Sequence, residues 1–430
     1  MHYFSTNRKS PLVTFAEAVM EGQPDDKGLY FPSEMPMLPG EFFEGMPNRS
    51  NEEIAFDVIR PYVDGEIPDP TLFEICNETV NFRFPLVPIT ERISALELFH
   101  GPTLAFKDVG ARFMSLCLQY FSRHSSKKIV VIVATSGDTG GAVGAGFHGL
   151  ADVEVVILYP KGKVSRVQEL QLTTLGENVT TLELHGTFDD CQAIAKRALA
   201  DPDLRSKASI TSANSINVAR WLPQQFYYFF AVKQWQGAPP VVSVPSGNFG
   251  NLASGVLAKT SGLPIDKFIA ATNANDVVPR FFDGGKYDPR PSVTTLSNAM
   301  DVGGPSNFVR ILEIFDNDIS RLKVFLSAVS ISDARTSATM KEVYEKYGYI
   351  LEPHGAVSYA ALSDALDQNP ERRGFMIETA HPIKFDSVLE ILGTQGDVPP
   401  AVQSLFSKPK LSIVMPNDYG QVKDLLISKL

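Results

Sequence analysis

From residue 129 onward, short β-branched runs alternate with stretches of helical periodicity, and that alternation leaves few folds open to the chain. The runs are IVVIVAT (129–135), VEVVILY (153–159), VTTLELH (179–185), VVSVP (241–245), KFIAATN (267–273) and GFMIETA (374–380). Helical patterns cover 140–149, 165–175, 189–200, 219–235, 250–261, 333–347 and 355–367. Strands joined by helical crossovers pair in parallel. Several runs are almost wholly apolar, as strands covered on both faces are. The pattern predicts an α/β protein with mainly parallel sheets.

A chain of 430 residues exceeds the size at which one core keeps growing, so two or three domains are expected. Residues 1–90 differ in character, with Pro, Gly and Asn breaks (GQPDDKGLYFPSEMPMLPG) and an acidic, aromatic flavour, and are read as a separate N-terminal unit. No segment is long, apolar and uncharged enough to span a membrane, and MHYFSTNRKSPLVTF lacks the apolar core of a signal peptide. The expected setting is the cytoplasm. Cys76, Cys117 and Cys191 are too few and scattered for a disulfide framework or a metal site, which makes them structural thiols. A net charge of −10 argues against a nucleic-acid footprint and for a small-molecule partner.

In open α/β sheets ligands gather at the carboxyl ends of strands, and the residues that follow these runs are rich in Gly, Ser, Thr and Asn. After VVSVP comes SGNFGNLASG (246–255), a Gly-rich turn into a helix. Converging N–H groups and a helix N-terminus at Gly247, Asn248, Phe249, Gly250 and Asn251 suit a phosphate, although an ordinary capped turn has the same look. After IVVIVAT comes SGDTGGAVG (136–144), small and hydroxylated at a helix start. A third cluster, TSANSINVAR (211–220), sets Arg220 among Ser212, Asn214, Ser215 and Asn217, a pattern for a second anion or for a polar turn with a surface arginine. The last run ends in ETAHPIKF (378–385), where Thr379 can bond a ring nitrogen and His381 and Lys384 are candidates for an anion site.

The stretch HGPTLAFKDVG (100–110) places Lys107 after an apolar run. Lys107 can open a solvated helix face, with Val109, Phe113 and Leu116 forming the apolar stripe. In an apolar pocket it would instead lose its proton and act as a free amine that attacks a carbonyl and holds an aldehyde cofactor as a Schiff base.

Other chemistries are poorly served. Gly144, Gly146 and Gly149 match G-x-G-x-x-G, but they lie inside the helix and lack a ribose-binding acid, so close helix packing is their expected role. No Walker lysine, H-E-x-x-H or G-x-S-x-G occurs. The stretch 283–306 is long and loop-like, as binding loops and lids often are.

Taken together, HGPTLAFKD, SGDTGG, NSIN with Arg220, SGNFGN and TAHPIKF resemble the threonine synthases, bacterial form, within the tryptophan-synthase-β-like group of pyridoxal-phosphate enzymes. Order and spacing agree over essentially the whole chain, including GLYFP (28–32) and TLSNAMDVG (295–303).

The resemblance implies a fold-type-II enzyme: an N-terminal unit at 1–90, a small α/β domain at 129–225, and a large domain of 91–128 and 226–430 that binds pyridoxal 5'-phosphate. Lys107 would carry the cofactor and shuttle protons, Gly247 to Asn251 would grip its phosphate, and Thr379 would face its pyridine nitrogen, leaving that nitrogen largely unprotonated. The implied substrate is O-phospho-L-homoserine, converted with water to L-threonine and phosphate by γ-elimination and β-hydration. Ser136, Gly137 and Thr139, with Asp138, would meet its α-carboxylate and the cofactor ring. Ser212, Asn214, Ser215 and Arg220 would hold its phosphate. Many relatives have asparagine at the position of Asp138, beside the cofactor's phenolic oxygen. Two other readings share the scaffold. A serine/threonine dehydratase needs no substrate-phosphate cluster around Arg220, and a non-catalytic metabolite-binding protein needs no imine-forming Lys107. A monomer or homodimer is expected.

Overall fold

Among the described residues, six strands form where the apolar runs lie, and seven others of three to five residues join them. The computed structural model describes residues 1–123 and 127–429. The chain opens with a two-stranded antiparallel ribbon, Tyr3–Ser5 (β1) and Tyr30–Pro32 (β2). Leu86–Pro88 (β3) and Ile93–Glu97 (β4) pair antiparallel and begin a larger sheet. A smaller sheet follows from Ile129–Ala134 (β5), Val153–Pro160 (β6), Val179–His185 (β7) and Ser209–Ser212 (β8). Val241–Pro245 (β9), Lys267–Thr272 (β10), Leu326–Ser330 (β11) and Gly374–Glu378 (β12) complete the larger one, and Ile413–Pro416 (β13) returns to the smaller.

The six-stranded order is β11-β10-β9-β12-β4-β3, and every pairing except β3 with β4 is parallel. The five-stranded order is β13-β7-β6-β5-β8, parallel throughout. All six residues of β5 are buried, which is why that run is continuously apolar rather than alternating. Each fully buried valine or isoleucine there contributes roughly 1.5–3 kcal/mol.

Three features depart from the sequence reading. β13 lies within the range assigned to the larger domain, yet it pairs with β7, and Val422 and Leu426 of the helix Tyr419–Lys429 join the core of the smaller sheet. A four-residue strand beyond a loop carries too little pattern to read. The helix expected over 219–235 is broken into Val218–Trp221, a 3-10 turn Leu222–Gln225 and Phe226–Gln234, because Pro223 has no N–H to continue it. The N-terminal residues share a core with the rest: Tyr3, Phe15, Ile54 and Tyr62 belong to the same buried cluster as Val109, Phe113 and Phe226. Asn217 donates to the Val19 carbonyl at 2.9 Å across that boundary.

Among the described residues, no helix is long and apolar enough to cross a membrane. Gly144 and Gly146 serve packing. A side chain on Gly144 would meet Leu175 at 2.7 Å, and one on Gly146 would press on the Ala111 backbone at 3.3 Å.

Candidate active site

Lys107 is the first residue of the helix Lys107–Ser122, delivered by a loop from the carboxyl end of β4. Leu104 in that loop takes a left-handed φ of 58°, which for a leucine costs on the order of 1–2 kcal/mol. The strain is held by the residues after β12: His381 N–H donates to the Leu104 carbonyl at 3.0 Å, and Phe106 N–H donates to the Thr379 carbonyl at 2.8 Å. The Leu104 side chain packs with Val167, Ile383 and Val402. Behind Lys107, Asp108 accepts from the Thr103 N–H at 3.0 Å and its hydroxyl at 2.5 Å. The Tyr227 hydroxyl donates to the Phe106 carbonyl.

Lys107 is itself half-buried, and the helix it opens buries Asp108, Val109, Ala111, Phe113 and Met114, so it does not begin a solvated face. Burial is the main cause that pulls the Lys107 ammonium down to about 8. Asp138 opposes that shift, Lys384 and Arg220 reinforce it, and Glu352 opposes it. The amine is thus largely protonated at neutral pH but loses its proton within about one pH unit of it.

The loop after β5 turns through Gly137 at φ 140°, where a side chain would run into Gln168 at 2.5 Å. Asp138 begins the helix Asp138–Phe147 and is buried. Its Oδ1 accepts from Lys384 Nζ at 2.7 Å and from Gln168 Nε2 at 3.0 Å. Burial alone would raise the Asp138 carboxyl, but Lys384 and Lys107 together hold it well below the usual carboxylate range. Ser136 and Thr139 are half-buried, and their hydroxyls have no hydrogen-bond partner among the described residues, which leaves them available to a ligand. Lys384, expected at an anion site, is instead fully buried and committed to Asp138 and to the Thr103 carbonyl at 2.8 Å. His381 caps the turn Pro382–Lys384 through its Nδ1, and burial draws it down to about 4.

After β8, Ser212 donates to Asn214 Oδ1 at 3.2 Å, and Asn214 Nδ2 reaches the Ala134 carbonyl at 3.2 Å, so the ends of β8 and β5 are tied together. Arg220 is 3% exposed and lies over Gly110 of the Lys107 helix, where an added side chain would meet the Arg220 carbonyl at 2.7 Å and its Nε at 3.2 Å. One Arg220 N–H donates to the Ala213 carbonyl at 2.7 Å, while Nε has no protein partner. Burial is the chief cause that lowers its guanidinium to about 10. The surface-arginine reading therefore does not hold.

After β9, Phe249 adopts a left-handed φ of 62° and caps the helix Gly250–Thr260. The N–H groups that open this helix have no carbonyl in a preceding turn to reach. Gly247 is required by close approach, since a side chain there would meet the Met300 Cα at 2.6 Å. The side chain of Asn248 holds neighbouring loops. It donates to Ser215 Oγ at 3.0 Å and accepts at 2.7 Å from both the backbone and hydroxyl of Ser306. Ser215 thus joins the two expected anion loops. Asn251 is buried and accepts from the Tyr228 hydroxyl at 2.7 Å, and its Nδ2 has no partner. A lysine amine near neutrality, a helix N-terminus with unpaired N–H groups and an orphaned donor at Asn251 make a donor set that fits an aldehyde cofactor carrying a phosphate, and the orphaned Arg220 Nε adds a donor for a second anion.

Thr379 follows β12, and its hydroxyl bonds Glu352 Oε1 at 2.9 Å. Glu352, His354 and Glu378 were not singled out by sequence reasoning. The signal was present as E-P-H-G, an acidic cap with proline at the first turn of the helix Pro353–Asp367. Glu378 accepts the Glu352 N–H at 2.9 Å, and burial beside the Glu352 carboxylate pushes its own carboxyl well above the usual range. Two surface hollows, about 470 Å³ beside Trp235 and about 660 Å³ beside Phe42, include none of these residues in their walls.

Comparison with known proteins agrees with this geometry. The family described as pyridoxal-phosphate dependent enzyme matches residues 90–376, the threonine synthase N terminus matches 2–80, and the threonine synthase C-terminal family matches 355–426. Threonine synthase of Haemophilus influenzae is 44% identical over 438 residues, covering 99% of this chain and 100% of that one. The crystal structure of threonine synthase from Escherichia coli is 42% identical and superposes with a TM-score of 0.94 over 100% of both chains. Threonine synthase from Brucella melitensis, solved with pyridoxal phosphate bound, is 33% identical with a TM-score of 0.92, covering 100% of this chain and 99% of that one. Matched from its N-terminal ribbon to its last helix and built on the same α/β scaffold, the chain belongs to the threonine synthase family of pyridoxal-phosphate-dependent lyases.

Proposed function

We propose that this chain converts O-phospho-L-homoserine and water to L-threonine and inorganic phosphate. The observation that carries the reading is Arg220, a buried guanidinium whose Nε is unpartnered, in the short helix Val218–Trp221 beside the Lys107 helix. Burying an incompletely bonded cation is costly unless an anion completes it. A dehydratase acting on serine or threonine has no substrate phosphate to place there.

Pyridoxal phosphate, when bound, supplies an electron sink for negative charge at the substrate carbon bearing the amine. The rest falls to the protein. Lys107 would anchor the cofactor aldehyde and, with its amine freed, would take a proton at Nζ from the substrate α-carbon, give it up, and only then take one from the β-carbon. A pKa of about 8 suits both accepting and returning that proton near neutral pH. Gly247, Asn248, Phe249, Gly250 and Asn251 hold the cofactor phosphate at the helix N-terminus. Ser136, Gly137 and Thr139 meet the substrate carboxylate, and Asp138 lies at the phenolic oxygen. Arg220, with Ser212, Asn214 and Ser215, holds the phosphate that leaves the γ-carbon, after which water adds at the β-carbon. Thr379 meets the ring nitrogen.

The residues divide into lobes around the two sheets, with β13 counted with the smaller. Three unpaired, buried cysteines suit a reducing, cytoplasmic setting. The test is to incubate the cofactor-loaded protein with O-phospho-L-homoserine and identify products by NMR. Threonine with equimolar phosphate is expected; 2-oxobutanoate and ammonia from threonine, with no turnover of the phosphate ester, would favour the dehydratase.

A further inference from the structure

Among the described strands, the chain passes between the two sheets three times. The first two passes, through the helix Lys107–Ser122 into β5 and from β8 through Val218–Gln234, meet neighbouring strands at one edge of the smaller sheet. They also pack on each other, with Arg220 over Gly110 and with Val109, Phe113 and Phe226 in one core. The third pass, residues 393–412, joins the larger sheet to β13 at the opposite edge. It is fastened at both ends. On the larger side Gln395 Nε2 donates to the Phe385 carbonyl at 2.7 Å. On the smaller side Leu411 N–H donates to the Thr173 carbonyl at 2.8 Å, and Lys410 Nζ lies 2.7 Å from both Glu169 Oε1 and Glu183 Oε2. Midway, Val402 is 0% exposed in a pocket walled by Val167 from the smaller side and by Leu104 and Ile383 from the larger. Two hydrogen bonds cross between the sides beside it, from Ser165 Oγ to the Lys384 carbonyl at 2.6 Å and from Gln171 Nε2 to the Thr103 carbonyl at 2.9 Å.

We infer that residues 393–412 are a latch and Val402 its bolt: the two lobes hinge on the paired helices and part at the β13 edge only when Val402 leaves its pocket. With two passes packed together at one edge, the far edge is where the lobes can separate. There the burial of Val402 by both sides favours the closed arrangement, through the apolar area that opening would return to water. Leu104 shares that contact, and its left-handed turn leads straight to Lys107. Closing the latch therefore braces the turn that delivers the amine and narrows the way for water in one movement. Withdrawing Val402 loosens both.

The experiment places spin labels on the full, cofactor-loaded chain at Ala193→Cys in the helix Phe188–Leu199 and Lys341→Cys in the helix Asp333–Tyr347, both exposed, and reads the distance between them by double electron–electron resonance. The native cysteines are buried and stay unlabelled. Val402→Ala removes two buried methyl groups and should raise the long-distance population roughly tenfold. Val402→Asp, whose charge has no partner in the pocket, should make that population the major one. Val388→Ala, the same truncation inside the core of the larger sheet, should leave the distribution as it is in the native chain. If Val388→Ala broadens it as much as Val402→Ala does, Val402 is an ordinary core residue and the latch is overturned. A distribution that neither Val402 variant moves overturns it too. Should Val402→Asp not fold, Val402→Ala decides together with Val167→Ala, which shortens the opposite wall of the same pocket and carries the same expectation and the same refutation.

Discussion

Lys384 Nζ lies 2.7 Å from Asp138 Oδ1, and both side chains are buried, 0% and 5% exposed. A single lysine from the turn after β12 thereby neutralises a carboxylate from the loop after β5, joining the ends of the two sheets. Breaking a buried pair by removing one partner strands the other charge, which typically costs about 3–5 kcal/mol. Lys384→Met should destabilise the cofactor-free protein by that amount in urea denaturation at pH 7, and adding Asp138→Asn should recover part of it. The folded-state Asp138 binds its proton less readily than the unfolded one, so its contribution is present above the unfolded pKa of about 3.9 and fades as pH falls further. The gap between native protein and Lys384→Met should narrow below about pH 4. A loss under 1 kcal/mol at pH 7 would show that the pair holds nothing together.

Arg220→Ala should separate the two anion sites. Hydrogen bonds to a charged group contribute about 1.5–3 kcal/mol, or roughly 10- to 150-fold in affinity. The Michaelis constant for O-phospho-L-homoserine and the inhibition constant for inorganic phosphate should both rise by that factor, while the visible absorbance of the bound cofactor stays. Loss of the absorbance instead would assign Arg220 to the cofactor phosphate.

Gly247→Ala tests the cradle. The added carbon would stand 2.6 Å from Met300 Cα and 3.0 Å from the Ala299 carbonyl, both backbone atoms that cannot swing aside. Either the loop over 246–251 or the loop over 298–300 must shift, and cofactor affinity should drop at least tenfold by equilibrium dialysis. Unchanged affinity would mean that the N–H groups at this turn do not hold the phosphate.

Local chemistry decided how much of this could be read in advance. The strands with two buried faces announced themselves by unbroken β-branched runs, and the loops at their carboxyl ends announced the site by small and hydroxylated residues. Asp138 and Thr379 were candidates for that reason, while Lys107 stood out at the end of an apolar run and Arg220 among hydroxyls and amides. Lys384 was visible as a residue but misread, because a cation four places past a strand looks the same whether it meets a ligand or a carboxylate from another lobe. Glu352 and His354 lay hidden since a capping acid before a helix is common and nothing local says that Thr379 lies above it. β13 escaped because its place depends on β7, more than two hundred residues away.

Lys107 itself offers the last test, since its lowered pKa carries a cost that the folded protein bears. The group falls from an ordinary value of 10.5 to about 8. Each unit corresponds to about 1.36 kcal/mol, so holding the ammonium in the folded, cofactor-free protein at pH 7 costs on the order of 3 kcal/mol. For a group whose folded pKa is depressed, the unfolded chain binds the extra proton between the two values, so stability rises with pH across that window and the penalty is complete below it. Lys107→Met, which fills the same space without the charge, should therefore be more stable than the native chain by up to ~3 kcal/mol at pH 7 in urea denaturation without cofactor. The advantage should shrink between pH 8 and 10.5 as the native lysine sheds its proton. Loss of the borohydride-reducible cofactor adduct in the same variant would tie the strained amine to its task. Equal stabilities at pH 7, or an adduct that survives on another lysine, would instead place the aldehyde-binding amine elsewhere in the chain.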